Sequence, residues 1–307
     1  LYNEINKDNI HKIIFNSLNE THHDVAKVVH HMYKDEFVCA NIKKNVWYQF
    51  TNHRWVDTDS GIELKRRISS HVVNEYLRLC ALVSKKSAEM DDDDIRKEIE
   101  MGKIKKLSRL SLKLKNDSFK SQVFKQCMEL FYVSKFEEKL DTKINLIGFE
   151  NGVYDLEKGE FRDGVSEDYI SFCTNINYIP YKDLNKKHVY EIEEFFKQLF
   201  PVPELRQYMW EHSASIMIGT NHNQTFNIYT GKGRNGKSRY VELMAKAIGD
   251  YKGTVPITLI TQKRNSIGST SSEIVALQGT RMAVMQEPSK GDKINEGIMK
   301  ELTGGDP

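Results

Sequence analysis

At 307 residues the chain is long enough for about two domains. Its 29% charged and 39% hydrophobic residues describe a globular protein with many exposed helix faces, and neither a membrane-spanning run nor a signal peptide is visible. Net charge is only +2, so a nucleic-acid surface has to be a local patch; the scattered Cys39, Cys80, Cys127 and Cys173 exclude a disulfide framework or zinc knuckle and suit a reducing intracellular compartment.

No internal repeat is present, and three zones are expected, at 1–100, 101–188 and 189–307. In the first, Ile10, Ile13, Ile14 and Leu18 predict an opening helix. Thr21 caps a second helix that turns Val25, Val28, Val29 and Met32 inward. Phe37-Val38-Cys39, Trp47-Tyr48-Gln49-Phe50 and Arg54-Trp55-Val56 alternate like short strands, and Gly61 to Ser84 returns to helical spacing. Trp47, Tyr48, Phe50 and Trp55 could stack bases, but packing of a small β unit suits them better. His22-His23 and His30-His31 lack the spacing of a metal site and read as a solvated face. Glu89 and Asp91 to Asp94 form an acidic linker or helix start.

The second zone begins basic. Between Met101 and Lys125 eight Lys or Arg (103, 105, 106, 109, 113, 115, 120, 125) stand against one acid, Asp117. Leu107, Leu110 and Leu114 form a helical apolar edge. The basic face either touches DNA phosphates, with Lys105, Lys106 and Arg109 as the candidates, or is a solvated face beside the acidic tract. Asn151-Gly152 predicts a hairpin turn between two apolar runs, and Lys158-Gly159-Glu160 a second turn into Phe161.

The third zone opens with a helix near Val189 carrying Ile192, Phe195, Phe196 and Leu199, which ends before Pro201. A helix from Leu205 to about Ile218 follows, closed by Gly219. Asn185-Lys186-Lys187-His188 lacks the Asp of a guanine-reading motif, which removes a GTPase reading. Then comes Gly231-Lys232-Gly233-Arg234-Asn235-Gly236-Lys237-Ser238, a complete G-x-x-x-x-G-K-S loop. Phe226 to Thr230 before it reads as a strand. Tyr240, Leu243, Met244, Ala247 and Ile248 after it form one apolar helix face, stopped by Gly249. Strand, loop and helix together predict a nucleoside-triphosphate site.

The residue types carry the chemistry. Gly231, Gly233 and Gly236 let backbone N–H groups of the loop, Asn235 included, turn inward as an anion nest at a helix N-terminus. Lys237 reaches the β- and γ-phosphates, and the Ser238 hydroxyl is the usual Mg²⁺ ligand. Arg239 closes the binding stretch by position, although it and Tyr240 suit ordinary first-turn residues. Further on, Glu273 to Leu277 is expected to be helical, and Met282 to Glu287 is an apolar run ending in an acid. Such a run, buried in a parallel sheet, presents its carboxylate beside the phosphates. Glu287 is thus the candidate to polarise the attacking water and to hold Mg²⁺ through water, with Gln286 where a second acid often stands.

These motifs, in the order G-x-G-x-N-G-K-S, Ile248-Gly249-Asp250-Tyr251, Thr258 to Arg264, Leu277-Gln278-Gly279-Thr280-Arg281, Gln286-Glu287-Pro288 and Lys300 to Asp306, resemble superfamily 3 helicases of the poxvirus-type primase–helicase branch of large DNA viruses. The Trp47-Tyr48, Arg54-Trp55 and Asn151 to Leu156 segments are similar to that family's helicase-associated N-terminal region. The resemblance implies an α/β chain: a mainly helical N-terminal region with short strands, a collar-like middle, and a truncated AAA+-like P-loop ATPase domain. It further implies ATP and Mg²⁺ as cofactors, a hexameric ring, single-stranded or forked DNA as partner, no membrane, and a place at viral DNA replication. Lys300 falls in the element before or within the DNA-contacting hairpin. The family's sensor strand and arginine finger are expected beyond Pro307, so the chain alone is expected to hydrolyse ATP weakly. The alternative is a non-catalytic module that assembles and holds DNA; a small-molecule kinase lacks support, since nothing resembles its lid.

Overall fold

Two compact units divide the chain in this computed structural model: Leu1–Thr51 with Trp55–Glu137, and Asn52–Arg54 with Glu138–Pro307. The structure describes residues 2–91, 95–261, 272–286, 291 and 293–304.

The first unit grows from amphipathic helices around one tryptophan. Helix α1 (Tyr2–Asn16) and helix α2 (His22–Tyr33) bury Ile14, Val25, Val28 and Val29 completely. The expected cap of α2 is present, with Thr21 Oγ1 accepting the amide of Asp24 at 3.2 Å. Strands β1 (Phe37–Asn41), β2 (Val46–Thr51) and β3 (Arg54–Asp57) form an antiparallel-paired sheet in that order, with a bulge between Cys39 and Asn41. Trp47 of β2 is fully buried against Phe124 and Phe131, and its indole N–H donates to Asn45 Oδ1 at 3.0 Å. Trp55 is buried too, so both tryptophans pack the core and neither offers a face to a base.

Helix α3 (Ile62–Arg67) runs through a π turn at Ile68–Val72 into α4 (Val73–Ala88), and α5 (Ile95–Lys113) and α6 (Asp117–Leu130) complete the unit. Leu107, Leu110 and Leu114 are fully buried, as their spacing predicts. They share one core with Ile14, Leu64 and Tyr76. The zone boundary expected at residue 100 therefore falls inside α5, because its single apolar edge is covered by elements of the first zone. The histidines also differ from a purely solvated face. His22 and His30 pack on Phe119 and Phe131, with ring centroids 4.8 and 4.9 Å apart, and burial lowers the pKa of His30. Among the described residues no cluster suits a metal ion.

The second unit opens with the expected hairpin. Strands β4 (Leu146–Phe149), β5 (Gly152–Asp155) and β6 (Glu160–Arg162) pair antiparallel in sequence order. Helices α7 (Lys186–Leu199) and α8 (Pro203–Ser215) follow, α7 capped by Asn185 Oδ1 on the amide of Lys187. Helix α9 (Lys237–Ile248) leads into β7 (Lys252–Val255). The short helices α10 (Thr258–Thr261) and α11 (Ser272–Val275) precede β8 (Met282–Met285) and α12 (Glu296–Gly304). Strands β7 and β8 pair in parallel, Lys252 opposite Met282 and Val255 opposite Met285.

Phe226–Thr230 is not a strand. It forms no ladder among the described residues, and Phe226 and Ile228 stand exposed. A strand needs a neighbour for its backbone groups, and the two parallel strands of this region pair with each other. Within it the Tyr229 ring packs edge-on against Tyr240, and its hydroxyl meets His212 Nε2 at 2.6 Å.

Candidate functional site

The loop from Gly231 to Ser238 closes on its own lysine. Lys237 Nζ donates to the carbonyl of Gly231 at 3.2 Å and to Asn235 Oδ1 at 2.9 Å. A β-carbon at Gly231 would lie 2.0 Å from Asn235 Nδ2, the free end of a side chain that has to move aside. Gly236 is required by its backbone conformation. It caps α9 with φ of +82°, and a β-carbon would come within 2.4 Å of Leu199 Cδ1. Gly233 departs from expectation, because a β-carbon there meets nothing within 4 Å. Its contribution is an open approach and not a forced turn.

Ser238 stands exposed at the head of α9. Arg239 sits one residue on, and its guanidinium pairs with Glu242 at 2.8 Å along the same helix. That exposed pair suits the ordinary first-turn residue its position suggests. The loop thus gathers a cation, a side-chain amide and the free N–H groups of a helix start around a space kept clear of β-carbons. Those donors fit a polyphosphate.

Tyr240 is buried, as its place on the apolar face of the helix predicts. It is 2% exposed, with the rings of Phe196, Phe200 and Tyr229 set edge-on around it. Its hydroxyl meets Ser213 Oγ at 2.8 Å, and beside it the hydroxyl of Tyr229 meets His212 Nε2 at 2.6 Å. Desolvation pushes both tyrosine hydroxyls up and His212 down. The tyrosines flanking the motif were the one available sequence signal for this cluster.

Strand β8 is parallel to its neighbour as expected but only half-buried, with Ala283 exposed. Its entry is anchored by Arg281, whose guanidinium donates to the carbonyls of Met217 and, at 2.6 Å, Leu146, and lies over the Tyr251 ring. Burial lowers the pKa of Arg281. Glu287, the candidate hydrolytic residue, lies outside the described residues, as do Gly305 and Asp306. Lys300 is exposed on α12.

In the first unit, Lys105 and Lys106 are exposed on α5 and hold no ion pair among the described residues. Arg109 differs, being bound with Lys113 to Glu20, the latter at 2.6 Å; Lys113 first and Arg109 next hold the Glu20 carboxyl below its ordinary range. Lys103 pairs with Glu100 and Lys120 with Asp117. The basic run is thus partly neutralised by Glu20, Glu100 and Asp117, while Asp92 to Asp94 of the acidic tract lie outside the described residues. Among the described residues no helix is long and apolar enough to cross a membrane.

Residues 26–201 match the family described as D5 N terminal like. The chain is 37% identical over 305 residues to a protein of Acanthamoeba polyphaga mimivirus named "Putative helicase", covering 99% of this chain and 32% of that one. A protein of the same description in Invertebrate iridescent virus 6 is 26% identical over 310 residues, covering 92% and 32%. In African swine fever virus a protein named "Putative primase" is 26% identical over 302 residues, covering 92% and 31%. The chain spans about a third of the length of these curated relatives.

Proposed function

The chain belongs to the D5 N terminal like family, in the primase–helicase branch of large DNA viruses, and from that premise we propose that it forms the ATP-binding part of a viral replication helicase. The observation that carries this reading is the closed loop at α9, with Lys237 drawn over Gly231 and Asn235 and Gly236 free of a side chain. An ammonium already poised on carbonyl and amide oxygens can move to phosphate oxygens, which are better acceptors for it.

In this proposal ATP seats its β- and γ-phosphates on the N–H groups of the loop and on Lys237. Ser238 would ligate Mg²⁺, which when bound neutralises charge on the phosphates. Glu287 is assigned the polarising of water at the γ-phosphate. Lys105, Lys106 and Lys300 are the proposed contacts to the backbone of single-stranded or forked DNA. Self-association into a ring, hexameric by family resemblance, and a place at viral DNA replication complete the reading. The division into an N-terminal helicase-associated region, a collar-like middle and an AAA+-like ATPase part belongs to the same proposal.

The test is a titration of the chain with MgATP, followed by turnover measurements with and without single-stranded DNA. Saturable binding that ADP displaces is the expected result. A chain that binds no nucleotide ends the reading, and one that binds without turnover, even as an oligomer on DNA, favours the non-catalytic DNA-holding module.

A further inference from the structure

The glycine loop holds its lysine through one side chain. Lys237 Nζ donates to Asn235 Oδ1 at 2.9 Å and, across the loop, to the carbonyl of Gly231 at 3.2 Å. An ammonium only donates, so the oxygen of the Asn235 amide has to face it, and the orientation of that amide is fixed. Its nitrogen then lies against Gly231, 2.0 Å from the place a β-carbon of that residue would take. Asn235 stands between Arg234 at φ +63° and Gly236 at φ +82°. Left-handed backbone is uncommon on an arginine, and residues held in such regions concentrate at binding and catalytic sites.

The ammonium of Lys237 has three N–H bonds; two are used within the loop, and one is left for a ligand oxygen. A lysine is otherwise a flexible four-carbon stem, and a ligand that has to order it binds more weakly. Here the loop orders it beforehand. The Gly231 carbonyl is backbone and comes with any residue, whereas Asn235 Oδ1 is the one side-chain acceptor that Lys237 meets among the described residues. An aspartate there would hold the ammonium too, but would set a negative charge against phosphate. An amide holds the lysine without that charge.

We propose that the Asn235 side chain is a positioning residue for phosphate binding: through Oδ1 it pre-sets the Lys237 ammonium over the loop, and so raises the affinity for a nucleoside polyphosphate. The proposal rests on the nucleotide reading above. It gives the side chain of Asn235 a task separate from that of its backbone N–H, which any residue at the position would supply.

The experiment takes two readouts on the 307-residue chain, Asn235→Ala and Asn235→Asp. One is MgATP affinity by calorimetric titration. The other, without nucleotide, is the mobility of the Lys237 side chain by NMR relaxation of its labelled ε-carbon, with Lys237→Arg identifying the signal. Asn235→Ala is expected to weaken MgATP by about tenfold, on the scale of a hydrogen bond to a charged group, and to loosen Lys237. Asn235→Asp is expected to keep Lys237 held and yet to bind MgATP more weakly than Asn235→Ala, because its carboxylate repels the phosphates. Asn235 is exposed, so both variants are expected to melt with the parent. A merely structural asparagine would lower the melt and leave the mobility of Lys237 unchanged. Parent-like affinity in Asn235→Ala overturns the proposal, and so does weakened binding with Lys237 still held. If the unaltered chain binds no MgATP, the nucleotide reading fails, while the mobility of Lys237 in Asn235→Ala still decides whether Asn235 holds the lysine.

Discussion

Gly236 and Leu199 are packed so closely that a single methyl on the glycine would lie 2.4 Å from Leu199 Cδ1. The contact joins the last residue of α7 to the cap of α9. Gly236→Ala meets both this contact and a left-handed backbone. It is expected to lower stability by about 1–2 kcal/mol and to weaken ATP. Adding Leu199→Ala should relieve the contact but not the backbone strain. Thermal melts and nucleotide titrations on the single and double variants check this, and a double variant identical to Gly236→Ala would remove Leu199 from the account.

Lys237→Ala should abolish ATP binding and leave the melting temperature within a degree or so of the parent, on the scale of an exposed substitution outside the core. The lysine bonds only to Gly231 and Asn235 within the loop. Calorimetric titration beside a thermal melt measures both, and retained ATP affinity would sink the site assignment.

Charge reversal separates the two roles mixed in the basic run. Lys105→Glu with Lys106→Glu is expected to reduce single-strand DNA affinity and flatten its salt dependence by roughly 1–2 in log–log slope, with an unchanged melt. Arg109→Glu puts a like charge against Glu20 and is expected to lower the melt instead. Filter binding across a salt series decides, and equal DNA effects for both changes would contradict the division.

The acid limb of stability should carry the signature of Asp24. Hydrogen bonds from Asn19, then Thr21, then Lys27 hold its carboxyl at about 2, below the ordinary value of 3.8. A depressed folded pKa means the stabilisation is fully present above 3.8 and drains away as pH falls towards 2. Asp24→Asn is therefore expected to lose stability at neutral pH and to show a flatter decline over that interval. Denaturant melts at a series of pH values measure the difference, and parallel curves would refute it.

Much of this protein is written locally. The cap at Thr21, the turn at Asn151-Gly152, the leucine edge of α5 and the glycine loop before α9 each rest on neighbours a few residues apart, so periodicity and turn chemistry were enough to find them. What tertiary structure alone decided depends on partners far along the chain. Residue 100 falls within α5, whose Leu107 and Leu110 share one core with Ile14 and Tyr76, and Arg109 pairs with Glu20. Phe226–Thr230 has the residues of a strand but no ladder among the described residues, and Gly233 sits in open space although the motif spells a glycine there. The apolar face of α9 marks Tyr240 for burial, but His212 and Ser213, which meet the hydroxyls of Tyr229 and Tyr240, come from α8 and only the fold supplies them. Backbone preference acts over a turn or two, whereas burial and hydrogen-bond satisfaction are properties of the assembled surfaces, and only the fold assembles them.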